Sequence, residues 1–165
     1  MFLRSLYIVA LTALGTLPAI AGGPTVSVAM VDKGLSTFYV PVTIEGAGTT
    51  EYLLDTGASY MTINQHMLGK LRDTGSVEHV RDLIGTMADG RERRVPIYRI
   101  GRVEIGAGCV LEDVEAAVLP GGTRNLLGLS ALRDAAPLRI HMDPPRLELA
   151  GCSVDASPTR TAQLQ

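Results

Sequence analysis

Beyond Pro24 the apolar residues of this chain fall in short runs that alternate with polar ones and are cut repeatedly by glycine, proline or an Asp-Gly type pair. That pattern suits an all-β domain of many short strands. In the stretch 38–44, Phe38, Val40, Val42 and Ile44 alternate with Tyr39, Pro41 and Thr43, so one face is apolar and the other mixed. Further strands are expected over 25–31, 51–54, 61–63, 94–100, 103–105, 109–111, 114–119, 138–142 and 146–149. The breaks fall at Gly46-Ala47-Gly48, Gly106-Ala107-Gly108, Glu112-Asp113 and Pro120-Gly121-Gly122. Residues 65–71 have the composition of a short helix, with Asn64 placed to cap an orphan backbone N–H. A second short helix is expected over 129–132. Asp89-Gly90 suits the positive dihedrals of a tight turn and predicts a long hairpin between 86–88 and 94–100. Even spacing of so many strands argues for a closed or partly closed all-β domain.

The N-terminus differs. Arg4, the apolar run 6–17, Pro18 and Ala19-Ile20-Ala21 have the three parts of an export signal, with cleavage after Ala21. A buried helix or an uncleaved anchor are the other readings of so short a run. The expectation is a periplasmic or secreted protein with a signal or anchor at 1–21, one domain over 24–152 and a polar, unstructured tail over 153–165. Membrane attachment would come only through an uncleaved 1–21. With 165 residues and 46% hydrophobic content there is room for one core. Fifteen Lys and Arg (15) against seventeen Asp and Glu (17), a net charge of −2 and no long run of one sign give no basis for binding nucleic acid. Arg91, Arg93 and Arg94 read first as a solvated face and second as a patch for an acidic substrate segment. Cys109 and Cys152 fit one disulfide or two core thiols equally well.

The segment Tyr52-Leu53-Leu54-Asp55-Thr56-Gly57-Ala58-Ser59 is the most informative: apolar residues lead into a carboxylate, a hydroxyl and a glycine. Asp-Thr-Gly alone is compatible with any turn. A second copy, Asp73-Thr74-Gly75, has no strand ahead of it and reads as a loop. The context of Asp55 resembles the retropepsin-like (retroviral-type, single-domain) aspartic proteases and their exported bacterial relatives. In that family a hydrophobic strand delivers Asp-Thr-Gly-Ala, a β-hairpin flap follows, and two apolar residues and a glycine precede a short helix. The matching pieces are Leu53 to Ala58, the hairpin at Asp89-Gly90, and Leu126-Leu127-Gly128 before 129–132.

The resemblance implies a retropepsin-like acid-protease fold, an all-β closed or partly closed β-barrel with one short C-terminal helix, and a homodimeric aspartic endopeptidase. Each chain would contribute one Asp55, and two like carboxylates held close share a proton, so that together they activate water and polarise the scissile carbonyl. Thr56 would brace the paired loops across the two-fold axis. Gly57 would let its N–H approach the carboxylate, and Ala58, Leu127 and Gly128 would support the site. Thr86, Met87, Ala88, Asp89 and Gly90 would form the flap over an extended polypeptide substrate. This flap is poorer in glycine than retroviral ones.

No cofactor is implied. His66, His79 and His141 have no ligand spacing. No Gly-x-Ser-x-Gly elbow occurs, and Gly106-Ala107-Gly108 lacks the lysine and serine of a phosphate loop. The rival reading is a dimeric peptide-binding or assembly module on the same fold that hydrolyses nothing. The intact Asp-Thr-Gly favours the enzyme, because a clamp has no use for juxtaposed carboxylates.

Overall fold

The computed structural model describes residues 24–35, 37–121 and 124–154. The signal read at 1–21 and the tail from 155 onward lie outside them. Twelve strands and two helices follow in order among the described residues: β1 (Val26–Ala29), β2 (Val31–Asp32), β3 (Phe38–Ile44), β4 (Gly48–Leu54), β5 (Met61–Asn64), α1 (Gln65–Asp73), β6 (Val77–Thr86), β7 (Glu92–Ile105), β8 (Cys109–Leu119), β9 (Leu126–Leu127), α2 (Leu129–Asp134), β10 (Leu138–Met142), β11 (Pro145–Leu149) and β12 (Ser153–Val154).

The alternation of β3 is real: Val40, Val42 and Ile44 are buried while Pro41 faces solvent. They join Tyr52, Ile63, Leu71, Ile100, Val103, Ile105 and Leu127 in one core. Asn64 caps α1, its side chain accepting the Met67 N–H at 2.9 Å, and Met67, Leu68 and Leu71 turn inward. The second triplet, Asp73-Thr74-Gly75, ends this helix. Gly75 takes a left-handed φ of 69°, as a residue just past a helix C-cap commonly does.

The larger sheet runs β12-β8-β7-β3-β4-β9, with β2 beside β3, β6 beside β7 and β5 beside β8; the smaller runs β1-β11-β10. The domain is mostly β, as the alternation implied, but neither sheet closes, since the end strands β9 and β12 do not pair with each other. The inner face of the smaller sheet buries Val28, Leu147 and Leu149.

Several stretches differ from the sequence expectation, the first being 25–31, expected as one strand, which divides at Met30 into β1 and β2 in different sheets. The polar run after α1 is the ten-residue strand β6, hydrogen-bonded on one side to β7, with a bulge between His79 and Arg81 that breaks its period of two. The strands expected at 94–100 and 103–105 are one strand, β7, passing through Gly101. Those expected at 109–111 and 114–119 are likewise one strand, β8, because Asp113 tolerates a φ of 57° and the register with β7 is the same on either side of it. A ladder supplied continuously by a long neighbour carries a strand across a single turn-prone residue. Cys109 and Cys152 are joined in a disulfide. Beside it Ser153 and Val154, expected to open the unstructured tail, pair with Val110 and Cys109.

Candidate active site

Two adjacent strands position Asp55. Strand β4 is fixed by Tyr52, which is fully buried; its phenol lies 3.4 Å from Met67 Sδ and burial pushes its pKa up. On the other side β4 runs parallel to β9, with Leu53 opposite Leu126 and Leu54 opposite Leu127. The Leu53 N–H donates to the Asn125 carbonyl (2.9 Å) and the Asp55 N–H to the Leu127 carbonyl (3.1 Å). The chain then turns: the Gly57 N–H donates to Asp55 Oδ1 at 2.9 Å and the Ala58 N–H to the Asp55 carbonyl at 3.3 Å. A Cβ on Gly57 would sit 3.2 Å from Asp55 Oδ1, tight against the carboxylate.

Behind this loop lies the segment after β9. The Leu129 N–H donates to the Ala58 carbonyl (2.8 Å) and the Ser130 N–H to the Ser59 carbonyl (3.0 Å), so the start of α2 holds the loop's far side. Gly128 is in contact with that loop: a Cβ there would lie 2.3 Å from the Tyr60 carbonyl oxygen and 2.8 Å from that of Ala58. Leu127 is fully buried beneath.

In front of Asp55 opens a cleft of about 850 Å³ roofed by the β6–β7 hairpin. Asp55, Gly57 and Ala58 line its floor, and Thr86, Met87 and Ala88 line its roof. The walls are apolar: Leu83, Val95, Ile97, Ala117 and Leu119, part of a small cluster separate from the main core. Asp89 and Gly90 form the hairpin tip and do not line the cleft. Gly90 adopts a φ of 79° and its N–H donates to the Met87 carbonyl at 2.9 Å. The Asp89 carboxylate accepts the Arg91 N–H, and its Arg91 contacts hold its pKa below the usual carboxylate range. Thr56 is exposed beside Asp55, outside the cleft lining. Among the described residues lining the cleft, Asp55 is the one carboxylate and Arg124 the one cation.

Sequence reasoning did not single out Thr62, Tyr60, Arg81, Glu115 or Ser130. The Thr62 hydroxyl accepts the Leu126 N–H at 2.8 Å, and Ser130 Oγ accepts the Met61 N–H (2.8 Å) while donating to the Glu115 carbonyl (2.7 Å). Thr62 and Ser130 are buried. Their signal in the sequence was a polar residue among apolar neighbours, present also at Glu115 in β8. Arg81 carried none, because it lies in a polar stretch for which the sequence predicted no strand.

The remaining candidates lie elsewhere. His66 is exposed, His79 contacts Asp82 at 3.0 Å, and His141 Nε2 lies 3.2 Å from Glu148 Oε2. Arg91 and Arg94 pair with Asp89 and Asp82 on the solvated outside of the hairpin, where Arg93 is also exposed.

A family model described as "gag-polyprotein putative aspartyl protease" matches residues 40–134. Among solved structures, the chain is similar to a retropepsin-like aspartic protease from Rickettsia conorii, at 22% sequence identity and a TM-score of 0.54, over 76% of this chain and 90% of that one. At that identity the likeness is one of fold. No curated protein matches the chain.

Proposed function

The chain belongs to the retropepsin-like aspartyl protease family, and from that premise we propose that it is an aspartic endopeptidase whose site forms when two copies bring their Asp55 residues together. The family supports a protease function in general. The observation that carries the finer reading is the cleft: Asp55 sits at its floor, under a hairpin, among apolar walls, and no second carboxylate of the chain's described residues joins it. Water activation by an aspartyl dyad needs two. A second copy supplies the missing one, with Thr56 exposed where a partner loop would meet it.

In this mechanism the paired carboxylates share one proton. One Asp55 accepts a proton from water as it attacks the scissile carbonyl, and the other donates to the carbonyl oxygen, giving a neutral gem-diol; the first then gives its proton to the leaving nitrogen as the C–N bond breaks, while the second takes a hydroxyl proton, which restores the shared proton of the pair. The Gly57 N–H bonded to Asp55 Oδ1 keeps that carboxylate oriented without using a side chain. An extended peptide would lie between Asp55 and Thr86, Met87 and Ala88 as an added strand, with apolar side chains against Leu83, Val95 and Ile97. No cofactor enters. The Cys109–Cys152 disulfide supports an oxidising, exported location.

Cleavage of a peptide library by residues 22–165, compared with Asp55→Asn and with pepstatin present, tests the reading together with sedimentation. The expected result is a dimer whose turnover is abolished by the substitution. Turnover surviving in Asp55→Asn, or a chain that stays monomeric while active, would overturn it. Peptide binding without turnover in the unsubstituted chain would instead establish the non-catalytic clamp.

A further inference from the structure

We propose that Arg81 is a positioning residue that ties the base of the flap hairpin to the Asp55 loop through the hydroxyl of Tyr60. The inference rests on the cleft acting as the peptide site described above, and it concerns how that cleft is held in shape.

Strand β6 has a ladder on one side only, to β7. A strand held this way twists and shifts easily unless something else secures it. The bulge between His79 and Arg81 resets its facing, so that Arg81 and Leu83 stand opposite Ile97 and Val95, whose side chains form the cleft wall. Arg81 is thereby turned from the solvated side of the hairpin toward β8. Such re-aiming of one side chain is a recurrent use of β-bulges.

There its guanidinium makes three hydrogen bonds. Nη1 donates to Glu115 Oε1 (2.8 Å), and Nη2 donates to Glu115 Oε2 (2.6 Å) and to the Tyr60 hydroxyl (3.1 Å). The fork on Glu115 is bidentate, which fixes direction as well as distance. Each partner is itself fastened to the site. Glu115 is on the central strand β8, and its carbonyl accepts from Ser130 Oγ, which accepts the Met61 N–H. Tyr60 ends the Asp55 loop, and its carbonyl lies against Gly128. Its ring faces the cleft, in the cluster with Leu83, Val95 and Ile97. One side chain thus spans flap, sheet and catalytic loop. The Arg81 side chain is 40% exposed, so the network adds little to global stability. Its effect falls on where Tyr60 and β6 stand relative to each other.

The test compares Tyr60→Phe, Arg81→Met and the double variant with the unsubstituted chain, by peptide-cleavage kinetics and by amide hydrogen exchange. Expected are kcat/KM losses of about three- to tenfold for each single variant, mainly through KM. The double variant should be no worse than Arg81→Met, because both substitutions break one linkage. Amides of residues 56–60 and 83–88 should exchange faster together in each variant. A Tyr60→Phe chain identical to the unsubstituted one, or losses that simply multiply in the double variant, would overturn the inference. If the unsubstituted chain cleaves no peptide, the protease reading fails and exchange alone decides: joint acceleration of both segments supports the linkage, and acceleration confined to β6 refutes it. Should Arg81→Met not fold, Tyr60→Phe, which removes a single oxygen, carries both readouts.

Discussion

The Asp55 N–H donates to the Leu127 carbonyl at 3.1 Å, across a parallel pair of strands separated in sequence by the whole flap hairpin. The carboxylate is therefore placed by a segment that joins it only when the domain has folded. Leu-Leu-Gly, a weak motif in the sequence, is the floor on which the Asp-Thr-Gly loop rests.

Gly128→Ala should be among the most damaging small substitutions in the chain. Its φ of −94° suits any residue, so the difficulty is purely steric: the new methyl would meet the Tyr60 backbone at 2.3 Å. Relief requires moving the Asp55 loop or α2. A destabilisation of about 1–3 kcal/mol is expected, with peptide cleavage lost more completely than stability, read by thermal unfolding beside activity on the same sample.

Ser130→Ala removes the hydroxyl that accepts from Met61 and donates to Glu115. The site is 8% exposed, so water does not readily replace it. Two backbone groups lose their partner, and a loss of about 1–3 kcal/mol follows. Ser130→Thr, if its extra methyl is accommodated, should recover much of it in denaturant titration.

The disulfide closes a loop between residues 43 apart in sequence. By chain entropy such a link stabilises the folded state by about 4 kcal/mol. Cys109→Ser/Cys152→Ser should lower Tm by roughly 10–20 °C, and the parent chain should show no free thiol to an alkylating agent until unfolded and reduced. Free thiols in protein purified from an oxidising compartment would contradict the linkage.

Acid should destabilise the domain in a definite window. Glu115 is held below the usual carboxylate range chiefly by its hydrogen bonds from Arg81, Asp82 by His79 and then Arg94, and Glu148 by His141 and then Arg146. Folded pKa values below the unfolded ones mean that these groups favour the folded state above the unfolded range, about pH 4. That contribution is lost as pH falls through the lower folded values. Tm should be nearly level from pH 7 to about 5 and decline below about 4. Glu115→Gln should shallow the decline, whereas an identical profile would show that the Arg81 pair contributes nothing to it.

The order of strands, the helix cap at Asn64, the turn at Asp89-Gly90 and the contrast between the two Asp-Thr-Gly triplets were all legible in the chain. Each depends on neighbours a few residues away: alternation within β3, a side-chain oxygen at Asn64, a glycine free to take positive φ, an apolar strand before Asp55 but not before Asp73. The uninterrupted run of β7 through Gly101 and of β8 through Asp113 was not legible, because a partner strand supplies the hydrogen bonds that hold the ladder across a local turn signal.

The site divides the same way. Asp55, its glycine and the segment that resembles the family's could be proposed from the sequence, since those are contiguous residues with their own chemistry. Residue order alone could not say that Gly128 touches Tyr60, that Ser130 joins Met61 to Glu115, or that a bulge turns Arg81 toward Glu115 on β8. Those relations link residues far apart in the chain, and only close packing of β4, β8, β9 and the hairpin brings their atoms within bonding distance.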